Sequence, residues 1–202
     1  MIVVISHPTA VVSEAARMNA LFEEGLDVLH LRKPTATKDE LKFLMEKIEP
    51  KYHRQIALHE HHELADEFHT GRLHFNEFNR NKMNESEWLS LKNKGTILST
   101  SIHQASEYGN LSGLFDYTFF GPVFDSISKR GYTSSWTHGF VFPVRPGGPK
   151  VIAIGGIDST TAPMSRSMKF DGVAALGAIW QDPERSIKEF KALRKAWEQT
   201  DL

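Results

Sequence analysis

Short apolar runs rich in branched residues alternate along this chain with longer stretches whose apolar positions recur every three or four residues. That alternation marks βαβ units and a parallel sheet: a strand covered on both faces reads as a continuous apolar run, while its covering helix is apolar on one stripe only. Eight strands are predicted, at Ile2–Ile5, Val28–Leu31, 55–58, Arg72–Phe75, 96–99, Tyr117–Phe120, 151–154 and Gly172–Ala175. Helices are predicted over 13–22, with Ser13 as cap and Gly25 beyond the stop, and over 37–48, where Leu41, Leu44, Met45 and Ile48 share one face ahead of Pro50. Further helical stretches cover 62–69, 85–92, 104–108, 159–168 and 183–197. The sixth connection differs, because Pro143, Pro146 and Gly147-Gly148 leave little room for regular helix over 140–149. An open doubly wound sheet is the rival topology. Eight evenly spaced units with no longer crossover favour closure into a single α/β domain spanning 1–202, a (β/α)8 TIM barrel of minimal length.

Composition narrows the partners. Twenty-four Lys plus Arg against 25 Asp plus Glu give a formal net charge of −1, so no global field draws the chain to nucleic acid or an anionic membrane. Any anion site must be local. With no cysteine there is neither a disulfide framework nor a thiol nucleophile, and the first apolar run is too short for a leader or a spanning helix. A cytoplasmic location is the expectation. Oligomeric state stays open; a homo-oligomer is compatible with the aromatic strip 132–142, with Trp136 and Phe140, which reads as a lid or a contact surface.

The sharpest local signal is Val151-Ile152-Ala153-Ile154-Gly155-Gly156-Ile157-Asp158 ahead of a helical stretch. Two glycines after a buried strand let the backbone approach a ligand, and N–H groups at a helix start attract phosphate without a basic side chain. Its counterpart runs through Leu176 to Gly177 after the eighth strand, where a short helical turn adds further donors. Loops after strands seven and eight are the recurrent phosphate site of this fold. After strand six, Ser126, Ser128 and Lys129 offer two hydroxyls and a cation suited to a phosphate. His30 and Arg32 point to one side of strand two: they face the barrel mouth, or Arg32 is a solvated rim charge. Ser101 and His103, one residue apart after strand five, face one cavity or serve as helix cap and first turn; in a cavity, His103 can carry a proton at neutral pH. His59-Glu60-His61-His62 invites a zinc reading, but it is not H-E-x-x-H, and alternation leaves at most two of these side chains in one site.

Read in order, these strings resemble the thiamine phosphate synthase and TenI family of small barrels, from Ile2 to about Ile179. The residues that carry the resemblance are Asp116-Tyr117 leading into Gly121-Pro122-Val123-Phe124 with Lys129, then Ala153-Ile154-Gly155-Gly156-Ile157, then Phe170-Asp171-Gly172-Val173, with Ser101-x-His103 and Leu31-Arg32 in agreement. The family's synthases join a pyrimidine diphosphate to a thiazole phosphate with magnesium and release pyrophosphate. The resemblance implies that Ser101, Ser126, Ser128 and Lys129 contact pyrophosphate or the thiazole phosphate, and that backbone near Gly156 and Gly177 holds the phosphate.

Several family positions have changed. The Gln that begins the strand-two motif is His30 and its final Lys is Pro34; the Asn-Asp after strand three is His59-Glu60; after strand four the chain reads His74-Phe75-Asn76-Glu77-Phe78-Asn79. Glu60 and Asn79 are the candidate metal ligands, one carboxylate and one neutral oxygen, a poorer magnesium site than the family's. The phosphate grip is intact. Three readings follow: a synthase using Mg2+; a TenI-type thiazole tautomerase needing no cofactor, with His103 as proton carrier and His30, His59 and Glu60 as alternates; and a non-catalytic binder or regulator that keeps the phosphate anchor. A phosphosugar isomerase is weaker, because the ends of strands one and two carry Ser6, His7 and His30 where that chemistry wants acids.

Overall fold

The structure, a computed structural model, describes residues 1–124, 140–143 and 146–199. Eight parallel strands close in chain order: β1 Ile2–Ile5, β2 Val28–Leu31, β3 Ile56–Leu58, β4 Arg72–Phe75, β5 Ile97–Ile102, β6 Tyr117–Phe120, β7 Lys150–Ile154 and β8 Gly172–Ala175, with β8 returning to β1. The pleat sorts each strand. Val4, Leu29, Leu58, Leu98, Phe120, Ala153 and Val173 turn outward beneath the helices, while Val3, Ile5, Val28, Ala57, Tyr117, Phe119, Ile152 and Ala174 fill the barrel.

Around the barrel run α1 Glu14–Glu23, α2 Lys38–Met45, α3 Leu64–Phe68, α4 Glu77–Arg80, α5 Glu85–Asn93, α6 Ala105–Tyr108, α7 Ala162–Ser167, α8 Gly177–Trp180 and α9 Ser186–Glu198. Capping boxes open α2, through Thr37 and Glu40, and α5, through Asn84 and Glu87. Leu41, Met45 and Ile48 are buried, as their spacing predicts. No helix among the described residues is long and apolar enough to cross a membrane.

Four expectations change. Ser13 sits at φ 56 and makes no side-chain cap bond, so α1 begins without the expected hydroxyl acceptor. The fifth strand reaches Ile102, which places Ser101 inside a strand instead of at a helix cap. The four-residue α4, capped by Asn76 accepting from the Asn79 N–H at 2.8 Å, is too short to show a period and was not predicted. At the sixth connection, 140–143 and 146–149 carry no helix, and at the described end of the aromatic strip Val141 is exposed while Phe142 turns inward, 1% exposed and meeting the Tyr108, Phe120 and Phe170 rings at 5.2, 4.8 and 5.6 Å.

Beneath the β1 and β2 ends lies a buried ion pair. The Lys33 ammonium donates to Glu14 Oε1 and Oε2 at 2.6 and 2.7 Å and to the His7 and Thr9 carbonyls at 2.7 and 2.8 Å. Burial pushes the Glu14 carboxyl above its ordinary range, against the opposing pull of Lys33. One cation thus pins both the β1–α1 loop and the first turn of α1. Lys33→Met should cost about 3–5 kcal/mol by leaving Glu14 charged and unpaired, and adding Glu14→Gln to that variant should recover most of it; urea unfolding of the single and double variants tests both.

Candidate functional site at the C-terminal rim

The barrel interior has two halves. Around β1 and β6 to β8 its lining is apolar, with Val3, Ile5, Phe119, Ile152 and Ala174; across β2 to β5 the inward positions carry His30, His59, His74, Ser99 and Ser101. His30 Nε2 lies 2.7 Å from the Tyr117 hydroxyl and its Nδ1 lies 2.9 Å from His59 Nε2. His74 Nδ1 lies 3.0 Å from Ser99 Oγ and its Nε2 lies 3.2 Å from Ser101 Oγ. The His59 and His74 rings stack at 4.1 Å, and His30 meets both edge-on. Desolvation holds all three imidazoles neutral, with His30 and His59 well below their ordinary value and His74 lowered to about 3; Arg32 adds to the effect on His59 and His74, and Arg80 on His74. Tyr117 is pushed up to about 12 by the same burial. His30 and His74 use both ring nitrogens inside the network, which is what lets a polar core persist.

The glycine turns stand on the opposite half. Gly155 and Gly156 have φ of 94° and 64°, a conformation that favours glycine. A Cβ on Gly155 would meet Pro122 Cα at 2.7 Å, and one on Gly121 would strike the Ile154 carbonyl. The β6 and β7 loops are further tied by the Val123 N–H to Ile154 O at 2.9 Å and the Phe124 N–H to Gly155 O at 3.1 Å. Packing alone therefore demands Gly155, while Gly156 is set by Thr161, whose Oγ1 donates to its carbonyl at 2.8 Å. Asp158 secures that turn: burial pushes its carboxyl up, but donors from Thr160 and Thr161 overcome this and hold it low. Past β8, Leu176 accepts from the Ile179 and Trp180 N–H groups, so the N–H groups of Gly177 and Ala178 open the first turn of α8.

The other predicted residues scatter or gather as follows. Arg32 is half-buried and close enough to act on the His59 and His74 rings, so it belongs to the mouth. Ser101 joins His74 and faces the cavity. His103 is exposed, and its Nδ1 lies 2.9 Å from the Gly121 carbonyl. A carbonyl only accepts, so Nδ1 carries the proton and Nε2, with no partner among the described residues, presents its lone pair. Glu60 Oε2 accepts the Lys33 backbone N–H at 2.9 Å. Asn79 lies half-buried in α4. The 59–62 run disperses, with His61 Nε2 at the Ala36 carbonyl and His62 Nε2 at the His74 carbonyl, 2.9 and 3.2 Å away. Ser126, Ser128, Lys129 and Trp136 lie outside the described residues. Sequence reasoning missed Arg80, whose guanidinium donates to Thr100 Oγ1 at 2.9 Å and the Ser101 carbonyl at 2.7 Å, and it missed His74 and Tyr117 as members of the site. Alternation along β4 and β6 would have flagged the last two as polar residues facing inward.

Strands closed in order with helices between them define a (β/α)8 barrel, and its C-terminal mouth carries the glycine turns and the polar side chains converging from β2 to β5. The family model described as thiamine monophosphate synthase matches residues 2–179. The chain belongs to that family. It is 27% identical over 195 residues to the thiamine-phosphate synthase of Neisseria meningitidis, covering 91% of this chain and 92% of the relative. Among solved structures it is similar to thiamine phosphate pyrophosphorylase from Bacteroides thetaiotaomicron, with TM-score 0.77, 29% identity and coverage of 98% and 99%. The Pyrococcus furiosus pyrophosphorylase shares the fold, with TM-score 0.75, 19% identity and coverage of 98% and 95%.

The neutral imidazoles set a pH dependence. Unfolded histidines take up protons below about 6.5, whereas the folded chain keeps these three neutral, His74 down to about 3. The unfolded state then binds more protons, so stability of the metal-free protein falls as pH drops from about 6.5, by about 1.4 kcal/mol per pH unit for each histidine involved. Urea unfolding between roughly pH 6.5 and 5, above the range of most carboxylates, should show this slope, and His59→Asn should flatten it.

Proposed function

We propose that this chain is a thiamine-biosynthesis enzyme acting on a thiazole phosphate at the C-terminal rim, and that its reaction is synthase-type transfer: the thiazole nitrogen takes the pyrimidine methyl carbon, the carbon–oxygen bond to the diphosphate breaks, and pyrophosphate leaves. The observation that carries this reading is Gly156 in the turn after β7, which takes left-handed backbone just beyond the Gly155–Pro122 packing contact and has its carbonyl pinned by Thr161. That leaves the backbone free to approach a phosphate, with the opening of α8 beside it. Family membership and the similarity to a thiamine-phosphate synthase and a thiamine phosphate pyrophosphorylase support the transfer itself. Arg32 and Ser101 stand at the mouth, where a departing diphosphate needs compensating charge and donors. Ser126, Ser128 and Lys129 keep the role the resemblance gives them.

Magnesium belongs to this reading, with Glu60 and Asn79 to hold it, but the donors fit that ion poorly. Glu60 uses Oε2 on the Lys33 N–H, Asn79 contributes a neutral oxygen, and among the described residues Glu60 belongs to no metal-sized group of His, Asp or Glu side chains. His103 favours a second reading, the thiazole tautomerase. Its Nδ1–H is fixed on Gly121 and its Nε2 lone pair faces outward, a general base that needs no metal.

Incubation with the pyrimidine diphosphate, thiazole phosphate and Mg2+ should release pyrophosphate; conversion of the carboxylated thiazole phosphate without such release supports the tautomerase instead. Thiazole phosphate bound tightly with neither turnover means a binder, and no binding defeats the whole reading. His103→Gln should lower tautomerisation by about 10²–10⁴-fold, with a much smaller effect on pyrophosphate release.

A further inference from the structure

Among the described residues, one group of side chains has the composition of a metal site: His30, His59 and His74 can each present one nitrogen so that all three lie within 4.8 Å of one another. They come from three adjacent strands of a closed barrel, so their backbones are held by the sheet. His30 and His74 are buried, while His59 is half-exposed and opens to the mouth.

We propose that His30, His59 and His74 bind a borderline divalent transition metal, zinc being the type case, with its remaining position open to the barrel mouth. Two features beyond proximity support the assignment. Each deep imidazole has its inner nitrogen bound by a hydroxyl, His30 Nε2 by Tyr117 at 2.7 Å and His74 Nδ1 by Ser99 at 3.0 Å. That is the arrangement of hydrogen bonds that orients metal-bound histidines, and it leaves His30 Nδ1 on the side of His59 and His74 Nε2 held by the 3.2 Å Ser101 Oγ contact, which the ion would displace. The His30 Nδ1 to His59 Nε2 distance of 2.9 Å is also near the separation of about 3.3 Å between two nitrogens of a tetrahedral zinc. The half-exposed His59, stacked on His74, needs only a small rotation to bring its nitrogen to a common centre.

The donor set selects the ion. Imidazole suits zinc, cobalt, nickel and copper, whereas magnesium wants oxygen, so three imidazoles select a transition ion over magnesium. Arg32 and Arg80 act on this cluster and would oppose a bare dication. With three neutral ligands they instead favour an anion in the open position, hydroxide or an oxyanion of the substrate. This proposal stands whether or not the chain acts on a thiazole phosphate.

The full-length protein, stripped with a chelator and titrated with Co2+, should bind one equivalent with the visible bands of four-coordinate cobalt, bleached by Zn2+ and untouched by Mg2+. His59→Ala should weaken binding at least about tenfold and Tyr117→Phe by about tenfold, while His61→Ala, whose ring meets only a backbone carbonyl and an exposed carboxylate, should bind as wild type. Since loss of His30 or His74 can disturb folding, imidazole nitrogen NMR of the wild type gives a second readout: Zn2+ should shift the His30, His59 and His74 nitrogens and leave His103 in place. Equal cobalt binding in wild type and His59→Ala, no stoichiometric binding, or unshifted signals for the three histidines would overturn the proposal.

Discussion

The interaction on which the rest depends is the hydrogen-bonded set of buried imidazoles and hydroxyls in one half of the barrel. The His30 and His74 rings are buried and hold no charge, so their nitrogens are satisfied from within: Tyr117 and His59 for His30, Ser99 and Ser101 for His74. An apolar barrel could slide its registers at little cost, but this one cannot, because a one-residue shift of β2, β3 or β4 would turn a histidine outward and orphan its partners. The polar half fixes register, and the apolar half supplies the burial that closes the sheet.

The same division organises the mouth. On the apolar side, glycines after β7 and a helical turn after β8 bring backbone to the surface. On the polar side, imidazoles, Ser101, Arg32 and Arg80 bring side chains. The mouth thus presents backbone N–H groups at one end and neutral nitrogens with nearby cations at the other. That asymmetry fits a substrate with a phosphate at one end and its reacting atoms at the other.

Much of the fold was legible. Strand positions followed from apolar runs, since a parallel strand covered on both faces leaves an unmistakable pattern, and Gly155-Gly156 was visible because glycine pairs after such strands have few uses. What stayed hidden had physical reasons. The α4 turn, which carries Arg80, is shorter than one helical period needs to show itself. Ser13 looks like a cap, yet φ 56 turns it away. The histidine trio lies on three strands, 29 and 15 residues apart along the chain, and only closure of the barrel brings it together; the local run 59–62 drew attention to three neighbours of His59 that face elsewhere. Knowing that inward positions alternate would have gathered His30, His59 and His74 from the sequence, but only after the register was known.

The loops after β6 and β7 interlock at their roots through Gly121, Pro122 and Gly155, and the chain is fastened again where the Phe142 N–H donates to the Met168 carbonyl at 2.9 Å with its ring sunk in the outer core. The loop roots and Phe142 are therefore two separate fastenings of this side of the rim to the barrel. A side chain placed at Gly155 would strain the first fastening against Pro122 and leave the second, on the outer core, in place.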